Sequence, residues 1–425
     1  MLRLTLEEQD MLQGKYGKLK QQAMRKTVEY AEILGADELC EVTMAHLFCG
    51  AHGYLSAAGA RGIDEVISIM QYDADETLPL ENMVCYCQSD CGPMDPGQFR
   101  LMGFSEEDAA KNREYLNRYR FCGVNIVGTC VPYMCGFIPL RGEHFVSSES
   151  HAVVLMNSLW SACGNADGLE AGFWAAACGR TPKWGNHIMS NRFGTHVFDI
   201  RTPIKSSTDW DLLGYTIGKK LPSHSVPVLT GLSDRPSIFT LKYFFAALAT
   251  TSGAEMCHIV GITPEAPTVE AALGGKEALE TIAVTRDDLI GSYHSLGGGT
   301  ACDRVDYISI GCPHYSIEEL RLAAELLRGK KVVDGTTLHI WTAPQIKASA
   351  DSSGYTKIFE DAGATLLSSS CPLVSGKLPE GVETMAFDSA KQAHYLMSGH
   401  AAKVLYGSMK SCIQAAVTGK WGNTL

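Results

Sequence analysis

Short apolar, β-branched runs alternate along this chain with longer stretches in which apolar residues recur every three or four positions. That rhythm predicts strands handing over to helices, and so an α/β protein with mainly parallel sheets. Residues 305–310 (VDYISI) read as a buried strand, broken by Gly311, Cys312 and Pro313. Ser316 then stands three residues before Glu319 as a capping box; Ile317, Leu320, Ala324 and Leu327 mark one helical face, and Gly329 ends it. The same grammar recurs downstream, with an amphipathic helix to about residue 361, Gly363, a strand at 364–367 and then Cys371. Cys130 follows a third strand, at 124–127. Each thiol therefore falls in a loop at the carboxyl end of a strand, where α/β proteins bind ligands. Three such loops point to one shared centre.

Elsewhere the pattern adds organisation. Residues 151–179 are apolar on most faces and predict two buried helices meeting around Gly164 and Asn165. A further region begins near Ser225 with VPVLTGL, continues through the helix SIFTLKYFFAALATTSG and reaches a strand at 256–260. The segment from 391 to 421 reads as mostly helical.

Composition narrows the class. A chain of 425 residues suggests two or three domains, and 45% hydrophobic with 20% charged residues is ordinary for a globular protein. No apolar run approaches the ~20 residues needed to cross a bilayer, and the acidic, amphipathic start lacks a signal-peptide core. A net charge of −11 disfavours nucleic acid and anionic membranes as partners. Fifteen cysteines without an export signal lead us to expect a cytoplasmic location.

The loops around the thiols carry a resemblance. GCPH at 311–314 followed by IEELR at 317–321 resembles the iron–sulfur domain of the aconitase and isopropylmalate isomerase superfamily. The second loop keeps only Cys371, with Val374 where the superfamily has another cysteine. GTCVPY at 128–133, GITPEAPT at 261–268, and Ser389, Ala390 and Lys391 with His394 and Tyr395 make the chain similar to the aconitase X branch. The resemblance runs from about Ala45 onward, and 85–97 fits it poorly.

The resemblance implies an aconitase-like large subunit of several three-layer α/β/α units. Its expected divisions are an intertwined N-terminal region at 1–215, an iron–sulfur domain at 216–388, and a helical segment at 389–425 packing back on both. It implies that Cys130, Cys312 and Cys371 hold an iron–sulfur cluster, of 2Fe-2S rather than 4Fe-4S type, or iron. The plain alternative is that each is a small buried hydrophobe. Glu149, Ser150 and His151 match the superfamily's Asp-Ser-His active-site segment, though the same residues also suit a helix start. Thr263 and Glu265, in a loop stiffened by two prolines, are site candidates. Asn191, Arg192 and Lys391 are candidates for a substrate carboxylate, or else plain surface groups.

The implied activity is dehydration of a small hydroxy acid, first cis-3-hydroxy-L-proline to 1-pyrroline-2-carboxylate, and as the alternative (R)-5-phosphomevalonate. A small-subunit partner is expected to bring a swivelling lid and a catalytic serine. A reading from another class is an iron–sulfur redox or iron-sensing protein. Cys85, Cys87 and Cys91 form a C-x-C-x3-C set that reads as an irregular loop without a fourth ligand. Cys122, Cys135, Cys163, Cys178 and Cys257 read as core, and His144 as structural.

Overall fold

The computed structural model describes residues 2–47, 71, 74 and 76–422. Three sheets organise them, and each is built on the same plan. The first has the order β3-β2-β1-β4, with β1 at Leu39–Leu47, β2 at Tyr86–Ser89, β3 at Val124–Asn125 and β4 at His144–Ser147. A short β5, Arg180–Pro182, pairs antiparallel with β1. The second, all parallel, runs β8-β7-β6-β9, from β6 at His196–Ile200, β7 at Pro227–Thr230, β8 at His258–Ile259 and β9 at Glu280–Val284. The third, also parallel, runs β12-β11-β10-β13-β14, from β10 at Tyr307–Tyr315, β11 at Thr337–Thr342, β12 at Thr365–Ser368, β13 at Thr384–Phe387 and β14 at Lys403–Tyr406.

In each sheet the chain winds outward from the first strand, then returns to its other side. That reversal opens a crevice at the carboxyl ends of the two central strands, the switch point where open α/β sheets take ligands. Two of these crevices concern the candidate residues. One lies between β1 and β4, the other between β10 and β13.

The helices follow from local rules. Ser316 accepts from the Glu319 N–H, and Glu319 accepts from the Ser316 N–H, closing the expected capping box of the helix Ile317–Leu327. Leu320, Ala324 and Leu327 are buried beneath it, while Ile317 stays partly exposed. The apolar run after His151 forms two helices, Ser150–Trp160 and Leu169–Cys178. Helices Ser207–Lys220 and Ile238–Ser252 approach backbone to backbone: a Cβ on Gly214 would lie 2.2 Å from the Phe244 carbonyl oxygen. Among the described residues no helix is long and apolar enough to cross a membrane.

The α/β class with mainly parallel sheets holds, but several expected limits shift. Residues 305–310 do not end as a strand at Gly311: β10 runs on to Tyr315, because its ladder to β11 resumes there after a bulge. The expected division at 215/216 cuts the helix Ser207–Lys220 and parts β6 from its partners β7 and β9. The C-terminal segment carries a strand, β14, between the helices Ala390–Gly399 and Met409–Thr418. β14 adds to the edge of the third sheet, a partnership that no local pattern announces.

Asp211 locks the second unit to this C-terminal segment. It is buried and accepts from the Ala390 N–H at 2.7 Å and the Tyr406 O–H at 2.8 Å. Burial pushes its carboxyl up to about 8. An unfolded Asp keeps that proton only below pH ~4, so the site's stabilisation is complete at low pH and is lost as pH rises towards 8. Asp211→Asn keeps both accepted bonds and removes the titration. Its melting temperature relative to the unaltered chain is expected to climb from pH ~5 to ~8 and level off above that in a thermal-unfolding series.

Candidate active site and thiol cluster

At the first switch point, Glu149 follows β4 and caps the helix Ser150–Trp160. Its Oε1 accepts from His151 Nδ1 at 2.7 Å and from Lys391 Nζ at 2.7 Å. Lys391 arrives from the other switch point, in the first turn of the helix that follows β13. Capping and site geometry therefore coexist at Glu149. Burial would raise its carboxyl, but Lys391 and His151 hold it well below the usual range. Burial alone would lower Lys391, yet Glu149 keeps it above normal and charged. His151 is pushed down by burial, so it is neutral and donates through Nδ1–H. Its Nε2 is buried and has no hydrogen-bond partner among the described residues. Ser150, the first residue of the helix, stands half-buried beside this trio.

The thiol loops meet around a residue not singled out from the sequence. His314 is fully buried. Its Nδ1 contacts Thr129 Oγ1 at 2.9 Å, its Nε2 the Ser370 carbonyl at 2.8 Å, and its backbone N–H donates to Cys130 Sγ at 3.5 Å. One imidazole thus links the loop of Cys130, the loop of Cys371 and the bulge that carries Cys312. The bulge needs Gly311, whose φ is +102° and where a Cβ would lie 2.4 Å from the Trp341 carbonyl oxygen. Asp388 holds both ends of that bulge, accepting from the Gly311 N–H at 3.2 Å and from the Tyr315 hydroxyl. On the far side, His46 Nε2 contacts the Thr129 carbonyl at 3.1 Å.

The thiols respond to one another's charge. Cys312 is pushed well up by burial and then by Cys371, and Cys371 up to about 12 by burial and then by Cys130. Cys130 is lowered, first through a hydrogen bond from Cys91. Cys91, expected in an irregular loop, shares a site with Cys130 and His314, their ligand atoms all within 4.8 Å. The Gly92 N–H donates to the Ser369 carbonyl at 2.7 Å, fastening its loop beside Cys371. The C-x-C-x3-C spacing was the available signal. Buried thiols that resist ionisation in each other's company suit a bound cation, which replaces their protons. The thiols fit iron or an iron–sulfur cluster, while both nitrogens of His314 are engaged in hydrogen bonds.

The remaining candidates lie with the second unit. Arg192 is fully buried, and its guanidinium pairs with Glu265 at 2.6 Å and with the carbonyls of Asn157 at 3.0 Å and Asn186 at 3.2 Å. Its fork is occupied within the fold by one carboxylate and two carbonyls. Thr263 Oγ1 accepts from the Ile259 N–H at 3.0 Å and closes a turn, while Asn191 donates to the Gly185 carbonyl at 3.2 Å. Among the described residues, none of these four hydrogen-bonds to the Glu149 trio or the thiol loops.

Models of the aconitase X first, second and third domains match residues 1–190, 194–294 and 305–418. The chain belongs to the aconitase X family. The phosphomevalonate dehydratase large subunit of Methanothermobacter thermautotrophicus is 32% identical over 395 residues, covering 92% of this chain and 93% of that protein. The cis-3-hydroxy-L-proline dehydratase of Pseudomonas aeruginosa is 30% identical over 432 residues, covering 98% of this chain and 70% of that protein. The holo-form crystal structure of Thermococcus kodakaraensis aconitase X superposes with a TM-score of 0.81 at 30% identity, covering 98% of this chain and all of that one.

Breaking the Arg192–Glu265 pair tests its structural character. Arg192→Ala leaves a partly buried carboxylate without its cation and is expected to cost about 3 kcal/mol in urea unfolding. A loss below ~1 kcal/mol would show that the guanidinium is not needed to hold the fold.

Proposed function

We propose that this aconitase X chain is the large subunit of a hydro-lyase that dehydrates a small hydroxy acid. The observation that carries the reading is the meeting of the thiol loops with Glu149, His151 and Lys391 at two adjoining switch points. Cys130, Cys312 and Cys371 would hold the cofactor, a 2Fe-2S cluster or iron, which supplies a Lewis acid for the substrate hydroxyl. Lys391, charged and with part of its side chain exposed, offers an ammonium to the substrate carboxylate. Glu149 fixes His151 in the tautomer that leaves Nε2 able to take and return a proton as water departs. Ser150 stands beside them as a hydroxyl donor. Arg192, Asn191, Thr263 and Glu265 support this frame from the second unit.

A small subunit is part of the proposal. Relatives named large subunits match this chain nearly end to end, whereas it spans 69–70% of the cis-3-hydroxy-L-proline dehydratases. The extra length of the latter suits a fused lid, and a separate subunit bearing the catalytic serine suits the former. We take cis-3-hydroxy-L-proline as the first substrate, giving 1-pyrroline-2-carboxylate. The end-to-end match to phosphomevalonate dehydratase large subunits supports (R)-5-phosphomevalonate as the second. The placement we infer is cytoplasmic.

The iron-replete chain with its small subunit is expected to turn over one of these two acids. His151→Gln should lower kcat by roughly 10²–10⁴-fold, and Cys130→Ser should abolish turnover and reduce iron content. Reversible reduction of the centre without turnover of either acid would favour an electron carrier and sink the hydro-lyase reading.

A further inference from the structure

Away from the thiol centre, three donors from distant parts of the chain meet beside the first sheet. Cys40 lies on β1, two residues before Val42, which is in register with His144 at the start of β4. Alternation along a strand puts Cys40 and Val42 on one face, and therefore Cys40 and His144 on the same side. His187 reaches them from the turn Gly185–His187, which is held in place by Asn186 N–H donating to Asn165 Oδ1 at 2.8 Å.

His144 Nδ1 and His187 Nδ1 face each other at 3.0 Å, and the Cys40 sulfur lies within 4.8 Å of the ligand atoms of both. Two imidazole nitrogens on one tetrahedral zinc stand roughly 3.3 Å apart. The pair is therefore already near the spacing a metal requires. His187 Nε2 is buried with no hydrogen-bond partner among the described residues. The Cys163 carbonyl is nevertheless close enough to favour a proton on that ring. This is where a ligating histidine usually finds its outer partner.

We infer that Cys40, His144 and His187 form a second metal site, for a borderline-soft dication of the zinc class. The fourth position goes to water, which reaches the half-buried His144. One sulfur and two imidazoles suit zinc better than a hard cation. Both histidines are kept neutral by burial, as ligands must be, with His187 down at about 3. Cys40, raised to about 12 by burial, gives its proton to solvent on binding. The nearby cations are balanced, Lys183 by Glu38 and Arg192 by Glu265. Such an ion clamps β1, β4 and the 185–187 turn together, and it owes nothing to the dehydratase reading.

The test uses the full chain with its iron centre loaded, so that added zinc must go elsewhere. After incubation with Zn²⁺ and desalting, elemental analysis should find about one zinc per chain with the iron unchanged. Zinc should be lost in Cys40→Ser and in His187→Gln and kept in Cys130→Ala. Zinc K-edge absorption on the unaltered chain covers the case in which a variant fails to fold, and should show one sulfur and two imidazole nitrogens. No retained zinc, a shell of oxygens or thiols alone, or full retention in Cys40→Ser would overturn the site.

Discussion

The candidate centre depends on one buried imidazole. His314 is pushed down to about 4 by burial and is neutral. A neutral ring has one N–H, and the Ser370 carbonyl can only accept, so that proton sits on Nε2. Nδ1 must then accept from the Thr129 hydroxyl, which in turn accepts from the Val131 N–H at 3.2 Å. The network has one consistent solution, and it spans three loops from two sheets. Each such bond is worth only about 1 kcal/mol net, but an orphaned buried partner costs about 1–3 kcal/mol. Removing the ring would strand a hydroxyl and a carbonyl together, and the cysteines beside them would lose their common frame.

Charge explains why the two switch points belong to one site. Burial and mutual repulsion oppose ionisation of Cys312 and Cys371, and Lys391 is the cation that eases it at both. The same ammonium holds Glu149 ionised. Lys391 is thus shared between a carboxylate and a nest of thiols, and its helix is anchored by Asp211 and Asp388 at the end of β13. Moving that helix would disturb the Glu149 trio and the thiol loops at once.

How much of this was legible in the sequence depended on the range of the interaction. The capping box of Ser316 and Glu319 and the helix pair after His151 are local, and they appeared as read. The extension of β10 past Gly311 and the pairing of β6 with β7 and β9 depend on strands far along the chain, so limits drawn from local pattern slipped. Arg192 illustrates the same blindness in chemistry. A guanidinium beside an asparagine reads equally well as a carboxylate clamp or a structural ion pair, and its pairing with Glu265, 73 residues on, is invisible to local pattern. Cys91 and His314 were visible as residues but not as neighbours, since the contact between them crosses 223 positions.

Rigidity on this chain's side has a consequence for how catalysis could be organised. Residues 152 to 156 of the helix behind His151 are completely buried, and Cys312 and Cys371 are nearly so. Close-packed elements of this kind hold their positions and yield little to a ligand. The groups with some exposure are Glu149, Ser150, Lys391 and Cys130, and they define the side from which a small acid can approach. Among the described residues, the thiol loops and the Glu149 trio sit on elements that have little room to close over a substrate. Dehydration needs water excluded from the site, and this is the physical reason a lid-bearing partner belongs in the proposal.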